Sequence, residues 1–276
     1  MTRIPSGNEA IAVIKIGGSI LKNARAYRRA AIFVRNRHRA SPEERLVVVV
    51  SAQEGATDAL ERTATGIVER PDVAALDLLW STGELRSVAL LVLHLQQLGV
   101  SAAALNIHEA GLSAEKLSRG PSSGRSRECV RLNPCWIHSA LATCAVAVVP
   151  GFFGADGRNA VVSLGRGGSD LTAVILAEGL QACRCELLKD VPGYFTSDPH
   201  RDPEARHLPR LTFDEALALA DGGCDLVQRQ AVEAAAQCGL PLVIRSLDNT
   251  APASLITEAA LEPAHAEAVP SAVAAS

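Results

Sequence analysis

The chain has 276 residues, 48% of them hydrophobic, and a formal net charge of −3 at pH 7. This composition excludes a disordered protein, and no net positive field indicates nucleic acid or a membrane surface as a partner. The length suits one large α/β domain or two closely joined lobes. We therefore expect the partners to be small molecules or further copies of the chain.

Seven cysteines are scattered without a CxxC pair, an odd count that is typical of reduced thiols in a cytoplasmic protein. Cys183 and Cys185 form a CxC with no histidine at ligand spacing nearby, so they do not indicate a metal site. Residues 1–10 lack the apolar segment of a signal peptide, and no run approaches the roughly 18 apolar residues of a membrane span. We expect a cytoplasmic location.

Short apolar runs alternate with helical stretches along the chain. This alternation predicts a largely parallel sheet with helices on both faces. Residues 118–127 are rich in Ser, Gly and Arg and predict an exposed loop, and 259–276 predict a mobile tail. Strands are predicted at 11–18, 45–52, 101–107, within 141–154, at the start of 160–180, at 185–191 and, as the last strand, at 241–247; helices are predicted at 24–39, 57–69, 78–99, in the second half of 160–180, and within 212–224 and 228–239.

Two glycine-rich turns each follow a predicted strand and carry a basic residue. Free backbone N–H groups and the positive end of a helix dipole favour an anion at such turns. Neither turn is a Walker A loop or a GxGxxG motif, and tight strand-to-helix packing would explain either one alone. A cation in each of them favours an anion site. The turns are "KIGGS" at 15–19, with Lys15, and "SLGRGGSDLTA" at 163–173, with Arg166.

Six motifs in a fixed order resemble the amino acid kinase family, and within it the catalytic domain of aspartokinases. The last two are similar to the "RGGSD" and "TDVDGVYTTDPR" segments of aspartokinases. The resemblance covers about residues 11–258. The motifs are "KIGGS" (15–19), "VVVSAQEGATDAL" (48–60), "STGE" (81–84), "VVPGFFG" (148–154), "SLGRGGSDLTA" (163–173) and "KDVPGYFTSDP" (189–199).

The resemblance implies a three-layer αβα sandwich with a mainly parallel central sheet. It implies an acceptor-binding lobe at about 11–160, a nucleotide-binding lobe at about 161–258, and a homo-oligomer. The implied reaction uses ATP and Mg²⁺ to phosphorylate the side-chain carboxylate of L-aspartate, or of a close aspartate-like acid, to an acyl phosphate. Glycines suit this chemistry because backbone must approach phosphate and carboxylate oxygens closely.

The resemblance also assigns roles to single residues. Lys15 matches the lysine that bridges the transferring phosphoryl, Glu84 the glutamate that meets the substrate ammonium, and Arg166 would clamp a carboxylate. The implied catalytic residues are Lys15, Arg166 and Asp170; the implied substrate-binding residues are Ser51, Thr57, Glu84, Arg166, Ser169 and Asp170. The implied nucleotide-binding residues are Lys15, Gly17, Gly18, Ser19, Gly167, Gly168, Lys189, Asp190, Tyr194 and Asp198; metal ligands are not assigned.

Plainer interpretations exist for several of these residues. Lys15 would also fit a strand-end lysine that reaches water, Thr57 a helix cap, and Asp170 an ordinary first-turn aspartate.

Several positions depart from the aspartokinase pattern. Lys189 stands where the family has threonine, and His200 where it has arginine. Asp225 replaces a lysine expected near the nucleotide, and residues 228–230 read Gln-Arg-Gln instead of His-Pro-Arg. Exchanging a cation for an anion near polyphosphate costs on the order of 1 kcal/mol or more. Lys189 and Arg229 are the two candidates for a compensating cation.

Typical aspartokinases continue into ACT domains that bind a feedback amino acid, and here only 259–276 follow the implied kinase domain. We expect no inhibition by lysine or threonine unless a separate regulatory subunit supplies the sensor.

Two alternatives to an aspartate kinase stay open. A phosphate, phosphonate or carbamate kinase would carry extra cations in place of Glu84. A non-catalytic binding or regulatory relative is favoured by Asp225 and His200.

Overall fold

The computed structural model describes residues 10–114, 130–165, 167–197, 202, 204–224, 226–248 and 252–258. Three segments lie outside the described residues: the predicted loop at 118–127, residues 1–9 of the expected N-terminal tail at 1–10, and the predicted tail at 259–276. So do four residues singled out above: Arg166, Asp198, His200 and Asp225.

An eight-stranded sheet forms the centre of the molecule. Its order is β12-β14-β13-β9-β1-β2-β6-β3, and every neighbouring pair is parallel except β13 with β14. Apolar, β-branched runs such as "RLVVVV" form the central strands because these are covered on both faces. The strands are β1 Ile11–Ile16, β2 Arg45–Val50, β3 Ala102–Ala104, β6 Val146–Pro150, β9 Arg184–Leu188, β12 Arg210–Thr212, β13 Leu242–Arg245 and β14 Ser254–Thr257.

Seven helices are present in the described part of the chain. Asn23 caps the first of them by accepting from Ala26 N at 3.1 Å, and Asp72 caps the third by accepting from Ala74 N at 3.0 Å. The helices are α1 Ala24–Ala40, α2 Ala56–Ile67, α3 Val73–Gln97, α4 Cys135–Leu141, α5 Gly168–Gly179, α6 Phe213–Asp221 and α7 Arg229–Cys238.

Two apolar clusters lie on opposite faces of the sheet. Along β2, Val47 and Val49 belong to the cluster that α4, α5, α6 and α7 cover, whereas Val48 and Val50 belong to the one that α1 and α3 cover. This alternation follows from the period of two along a strand. The predicted three-layer α/β architecture is confirmed.

The prediction that 241–247 is the last strand is wrong. β14 follows it and inserts between β13 and β12. This strand has only four residues, of which Ser254 and Ile256 are buried.

The sequence pattern also did not predict a four-stranded sheet and a two-stranded hairpin beside the main sheet. The sheet has the order β5-β4-β7-β8 and the hairpin pairs β10 with β11, and their strands are β4 Leu112–Ala114, β5 Val130–Leu132, β7 Phe153–Ala155, β8 Val161–Ser163, β10 Tyr194–Phe195 and β11 His207–Leu208.

Several boundaries also differ from the predicted ones. Strand β1 ends before Gly17, β3 stops at Ala104, and α3 begins five residues before the predicted position 78. By length and composition α3 is apolar enough to cross a membrane, whereas the sequence predicted no segment of this kind. Core helices of soluble proteins meet the same criterion of length and hydropathy. Here α3 packs against α1, α2 and β6, and it buries Asp77 and Glu84.

Candidate active site

A cavity of about 280 Å³ opens where the central parallel strands end. Lys15 lies at the end of β1, Ser51 directly after β2, and Lys189 directly after β9. The first turn of α5 and the middle of α3 complete the wall. Ligands bind at this edge of open α/β sheets because the loops there converge. The lining residues are Lys15, Ser51, Thr57, Glu84, Phe152, Gly167, Gly168, Ser169, Asp170, Lys189 and Gln228.

Three charged side chains form the floor of this cavity. Nζ of Lys15 lies 2.7 Å from Oδ1 of Asp170, and Nζ of Lys189 lies 2.8 Å from Oδ2 of the same carboxylate. The side chains are 8%, 12% and 2% exposed for Lys15, Lys189 and Asp170. β1 and β9 are parallel neighbours with Ile16 opposite Leu188, so their ends bring the two lysines together.

Burial and charge act in opposite directions on this group. Burial alone would raise the pKa of Asp170, but the ammonium groups of Lys15 and Lys189 outweigh it and hold that pKa well below its usual range. Burial lowers the pKa of Lys15, and the negative charge of Asp170 opposes that shift. Asp170 is therefore an ionised carboxylate, and Lys15 is not a lysine that reaches water.

Glu84 is a buried acid in the same cavity. Its side chain comes from α3 and is 3% exposed. Oε1 accepts a hydrogen bond from the backbone N–H of Ala52 at 3.2 Å, while Oε2 has no hydrogen-bond partner among the described residues. Burial raises the pKa of Glu84 to about 7. A buried carboxylate oxygen without a partner favours a cationic or hydrogen-bond-donating ligand.

The glycines at the start of α5 allow neighbouring side chains to pack closer than a Cβ would permit. Gly167 has a φ of +73°, and a Cβ there would lie 2.1 Å from Cγ of Gln228. A Cβ on Gly168 would lie 2.9 Å from the ring of Phe152. Glycine is therefore required at both positions, and both glycines line the cavity at the start of α5.

Nine of the predicted site residues line the cavity together: Lys15, Ser51, Thr57, Glu84, Gly167, Gly168, Ser169, Asp170 and Lys189. Thr57 does not cap α2, because Gly55 takes the N-cap position. Gly17 lies beside the cavity, since a Cβ there would be 3.4 Å from Nζ of Lys15.

The other predicted site residues do not line the cavity or lie outside the described residues. Gly18, Ser19, Asp190 and Tyr194 are not among the residues that line this cavity in the described part of the chain. Asp190 is exposed, and the side chain of Tyr194 is fully buried. Arg166 and Asp198 lie outside the described residues.

Phe152 and Gln228 line the cavity but were not predicted as site residues. Phe152 has a φ of 71°, and its backbone N–H donates to Oγ1 of Thr172 at 3.2 Å, which holds it against α5. The backbone N–H of Gln228 lies 3.5 Å from Oδ2 of Asp170. The position of Phe152 inside the motif "VVPGFFG" was the available signal for it. Gln228 was visible only as a departure from the family pattern.

Comparisons with known proteins identify the family of the chain. The model of the amino acid kinase family matches residues 10–246. Aspartokinase of Thermus thermophilus is 36% identical over 255 residues, which are 92% of this chain and 60% of the relative. The chain thus spans about three fifths of the length of this curated relative.

Solved structures show the same fold. Aspartate kinase from Synechocystis superposes with a TM-score of 0.75 at 32% identity, covering 92% of this chain and 40% of the other. E. coli aspartokinase III in complex with aspartate and ADP has a TM-score of 0.70 at 24% identity, covering 90% of this chain and 64% of the other. With the family model matching most of its length, the chain belongs to the amino acid kinase family.

Proposed function

We propose that this chain transfers the γ-phosphoryl group of ATP to the side-chain carboxylate of L-aspartate or of a close aspartate-like acid. One observation carries the proposal: the buried carboxylate of Glu84, whose Oε2 has no hydrogen-bond partner among the described residues, lines the same cavity as the Lys15–Asp170–Lys189 group. The first suits the ammonium of an amino acid, and the second suits a phosphoryl group. The resemblance to aspartokinases, one of which is seen with aspartate and ADP, supports it.

The two ends of the cavity come from different parts of the chain. Ser51, Thr57 and Glu84 belong to elements before residue 160, which we propose as the acceptor-binding lobe at 11–160. Gly167, Gly168 and Lys189 belong to the proposed nucleotide-binding lobe at 161–258. We further propose that Gly17, Gly18, Ser19, Asp190, Tyr194 and Asp198 contact the nucleotide and that Ser169 and Arg166 contact the acceptor.

Asp170 receives a narrower role than the sequence suggested. Both of its oxygens face ammonium groups at 2.7 and 2.8 Å, so we propose that it positions lysines rather than binds the amino acid directly.

The reaction needs no covalent intermediate on the protein. A carboxylate oxygen of the acceptor forms a bond to the γ-phosphorus as the bond to the β,γ-bridging oxygen breaks, and that electron pair leaves on ADP. Lys15 donates hydrogen bonds to the phosphoryl oxygens, where negative charge develops. Glu84 holds the acceptor by its ammonium, which fixes the attacking carboxylate in place.

We propose that Mg²⁺ enters as part of the nucleotide substrate. The ion prefers oxygen ligands and usually binds through substrate phosphates and waters. Within the described ranges, no group of three or more His, Cys, Asp or Glu side chains could hold a metal ion. We therefore assign no resident metal ligand.

A different acceptor is disfavoured by Glu84, since its negative charge would repel a phosphate, phosphonate or carbamate. The case for a non-catalytic relative rests on Asp225 and His200, which lie outside the described residues.

We also propose that the chain is cytoplasmic and forms a homo-oligomer. Sedimentation of the purified chain would test the oligomeric state.

The decisive experiment measures ADP release by the purified chain with ATP and Mg²⁺, with L-aspartate and hydroxylamine added to trap an acyl phosphate as hydroxamate. We expect aspartate-dependent hydroxamate that Lys15→Ala abolishes, whereas Glu61→Gln on the exposed face of α2 leaves it unchanged. ATP binding without aspartate turnover would point to another acceptor. If the chain binds no nucleotide, it is a non-catalytic relative.

A further inference from the structure

The site holds two ammonium groups on a single carboxylate. One lysine would neutralise Asp170, and the second leaves the group with a charge of +1 in a largely buried place. Excess buried charge is unfavourable unless an anion is bound next to it. Each ammonium has three N–H bonds; Lys189 donates one of them to Oδ2 of Asp170, and Lys15 forms an ion pair with Oδ1, so both lysines retain donors for a ligand.

We propose that Lys189 is a second catalytic residue, whose ammonium contacts the transferring phosphoryl group together with Lys15. Asp170 is the positioning residue that keeps the two ammonium groups from repelling each other. This inference rests on the proposed function and deepens it. The start of α5, with Gly167 and Gly168, adds the positive end of a helix dipole to the same wall.

Two cations, Lys189 and Arg229, could compensate for the changed residues of the nucleotide site. The structure distinguishes between them. Arg229 pairs with Asp221 and with Glu233, and its side chain is 47% exposed. It is not among the described residues that line the cavity. Lys189 lines it and lies 2.8 Å from the carboxylate that also binds Lys15. The compensating cation is therefore Lys189.

Both lysines would stabilise the negative charge on the transferring phosphoryl group, and neither would lose a proton. As the γ-phosphorus passes from the bridging oxygen of ATP to the acceptor carboxylate, both ammonium groups donate hydrogen bonds to phosphoryl oxygens. The electron pair of the broken bond stays on ADP. A threonine at position 189, as in the motif that this segment resembles, would supply a hydroxyl but no charge.

The test compares Lys189→Met, Lys189→Thr and Lys189→Arg with Arg229→Ala as the matched control. Removing a preorganised donor of this kind lowers kcat by about 10²–10³-fold. We expect that loss for Lys189→Met and Lys189→Thr, with KM for the acceptor changed less than about threefold, a partial recovery in Lys189→Arg, and wild-type kcat in Arg229→Ala. A purely structural role would lower the melting temperature but leave kcat per active site unchanged.

Binding of a non-hydrolysable ATP analogue with Mg²⁺ separates this inference from the proposed function. If the wild type forms no hydroxamate with L-aspartate or with close aspartate-like acids, the proposed function fails. The inference then stands only if Lys189→Met binds the analogue at least about tenfold more weakly than the wild type and Arg229→Ala. Folded Lys189→Met with kcat within about twofold of wild type overturns the inference; where the wild type shows no turnover, equal analogue affinity overturns it. A wild type that binds no analogue overturns both.

Discussion

The backbone N–H of Ala52 donates a hydrogen bond to Oε1 of Glu84 at 3.2 Å and joins the loop after β2 to the middle of α3. This bond favours the ionised form of Glu84, but burial opposes it more strongly and brings the pKa of this acid to about 7. A carboxylate with such a pKa changes its charge near neutral pH. We therefore expect both stability and the proposed acceptor binding to depend on pH through this one residue.

Replacing Glu84 with glutamine should stabilise the protein above neutral pH. The folded-state pKa is raised from 4.5 to about 7, so the native state binds more protons than the unfolded state between those values. The stability from the protonated acid is fully present below pH 4.5 and is lost as the pH rises through 7. At pH 8.5 we expect Glu84→Gln to add on the order of 2 kcal/mol, or about 5 °C in Tm.

Thermal unfolding of the wild type and Glu84→Gln at pH 4.5 and pH 8.5 checks this. The two proteins should melt at similar temperatures at the lower pH. A variant that is less stable than the wild type at pH 8.5 would contradict the assignment of a strained, buried charge at this position.

Acceptor use should weaken as the pH falls, because an acceptor ammonium needs the ionised form of Glu84. With a pKa of about 7 for the free enzyme, kcat/KM for L-aspartate should fall roughly tenfold between pH 8 and pH 6. The measurement is the initial rate of hydroxamate formation at low aspartate concentration. Glu84→Gln should have a low kcat/KM that does not change between pH 8 and pH 6. A flat wild-type profile over the same range would show that Glu84 does not bind the ammonium.

Alanine at Gly18 should disturb the loop that holds Glu84. A Cβ there would lie 2.7 Å from the carbonyl oxygen of Ala52, the residue whose amide binds Glu84. We expect Gly18→Ala to lower the free energy of unfolding by about 1–3 kcal/mol and to raise KM for the acceptor. Urea unfolding and acceptor titrations measure the two effects.

Gly66 in α2 provides the matched control for this change. A Cβ on Gly66 meets nothing within 4 Å, and alanine is the better helix former. Gly66→Ala should therefore stabilise the protein by about 0.5–1 kcal/mol without affecting KM. Equal effects of the two substitutions would argue against a close approach of Gly18 to the loop.

Glu186 should matter for stability and not for nucleotide binding. Its carboxylate is buried in β9 and faces Arg37 of α1, Arg184 and Arg245 at 3.4 to 3.5 Å. Glu186→Gln leaves these cations with less negative charge, and breaking a buried ion pair costs roughly 3 kcal/mol. We expect Tm to fall while the affinity for an ATP analogue stays within about twofold.

The exposed Glu61→Gln serves as its control and should leave both quantities unchanged. A large loss of analogue affinity in a folded Glu186→Gln variant would mean that this network reaches the nucleotide site through β9.

Much of the fold is readable from the sequence because the central strands are buried on both faces. A run such as "RLVVVV" or "IAVIKI" must be covered by helices, and the helices between such runs set the parallel order. The motifs with Lys15, Glu84 and Asp170 were likewise visible, and the structure brings these residues into one cavity. The strand β14 was not predictable, since four residues of mixed polarity carry no strong period.

The sequence by itself determined the layered architecture, the family and the set of chemical groups at the carboxyl ends of the strands. Only the tertiary structure decided how those groups interact. Lys189 and Lys15 are 174 positions apart and share Asp170 because β9 lies next to β1. The pKa of Glu84 depends on its distance from water and on one amide of another loop. Burial and pairing are properties of the folded chain, because desolvation and Coulomb energy depend on distances in space and not on spacing along the sequence.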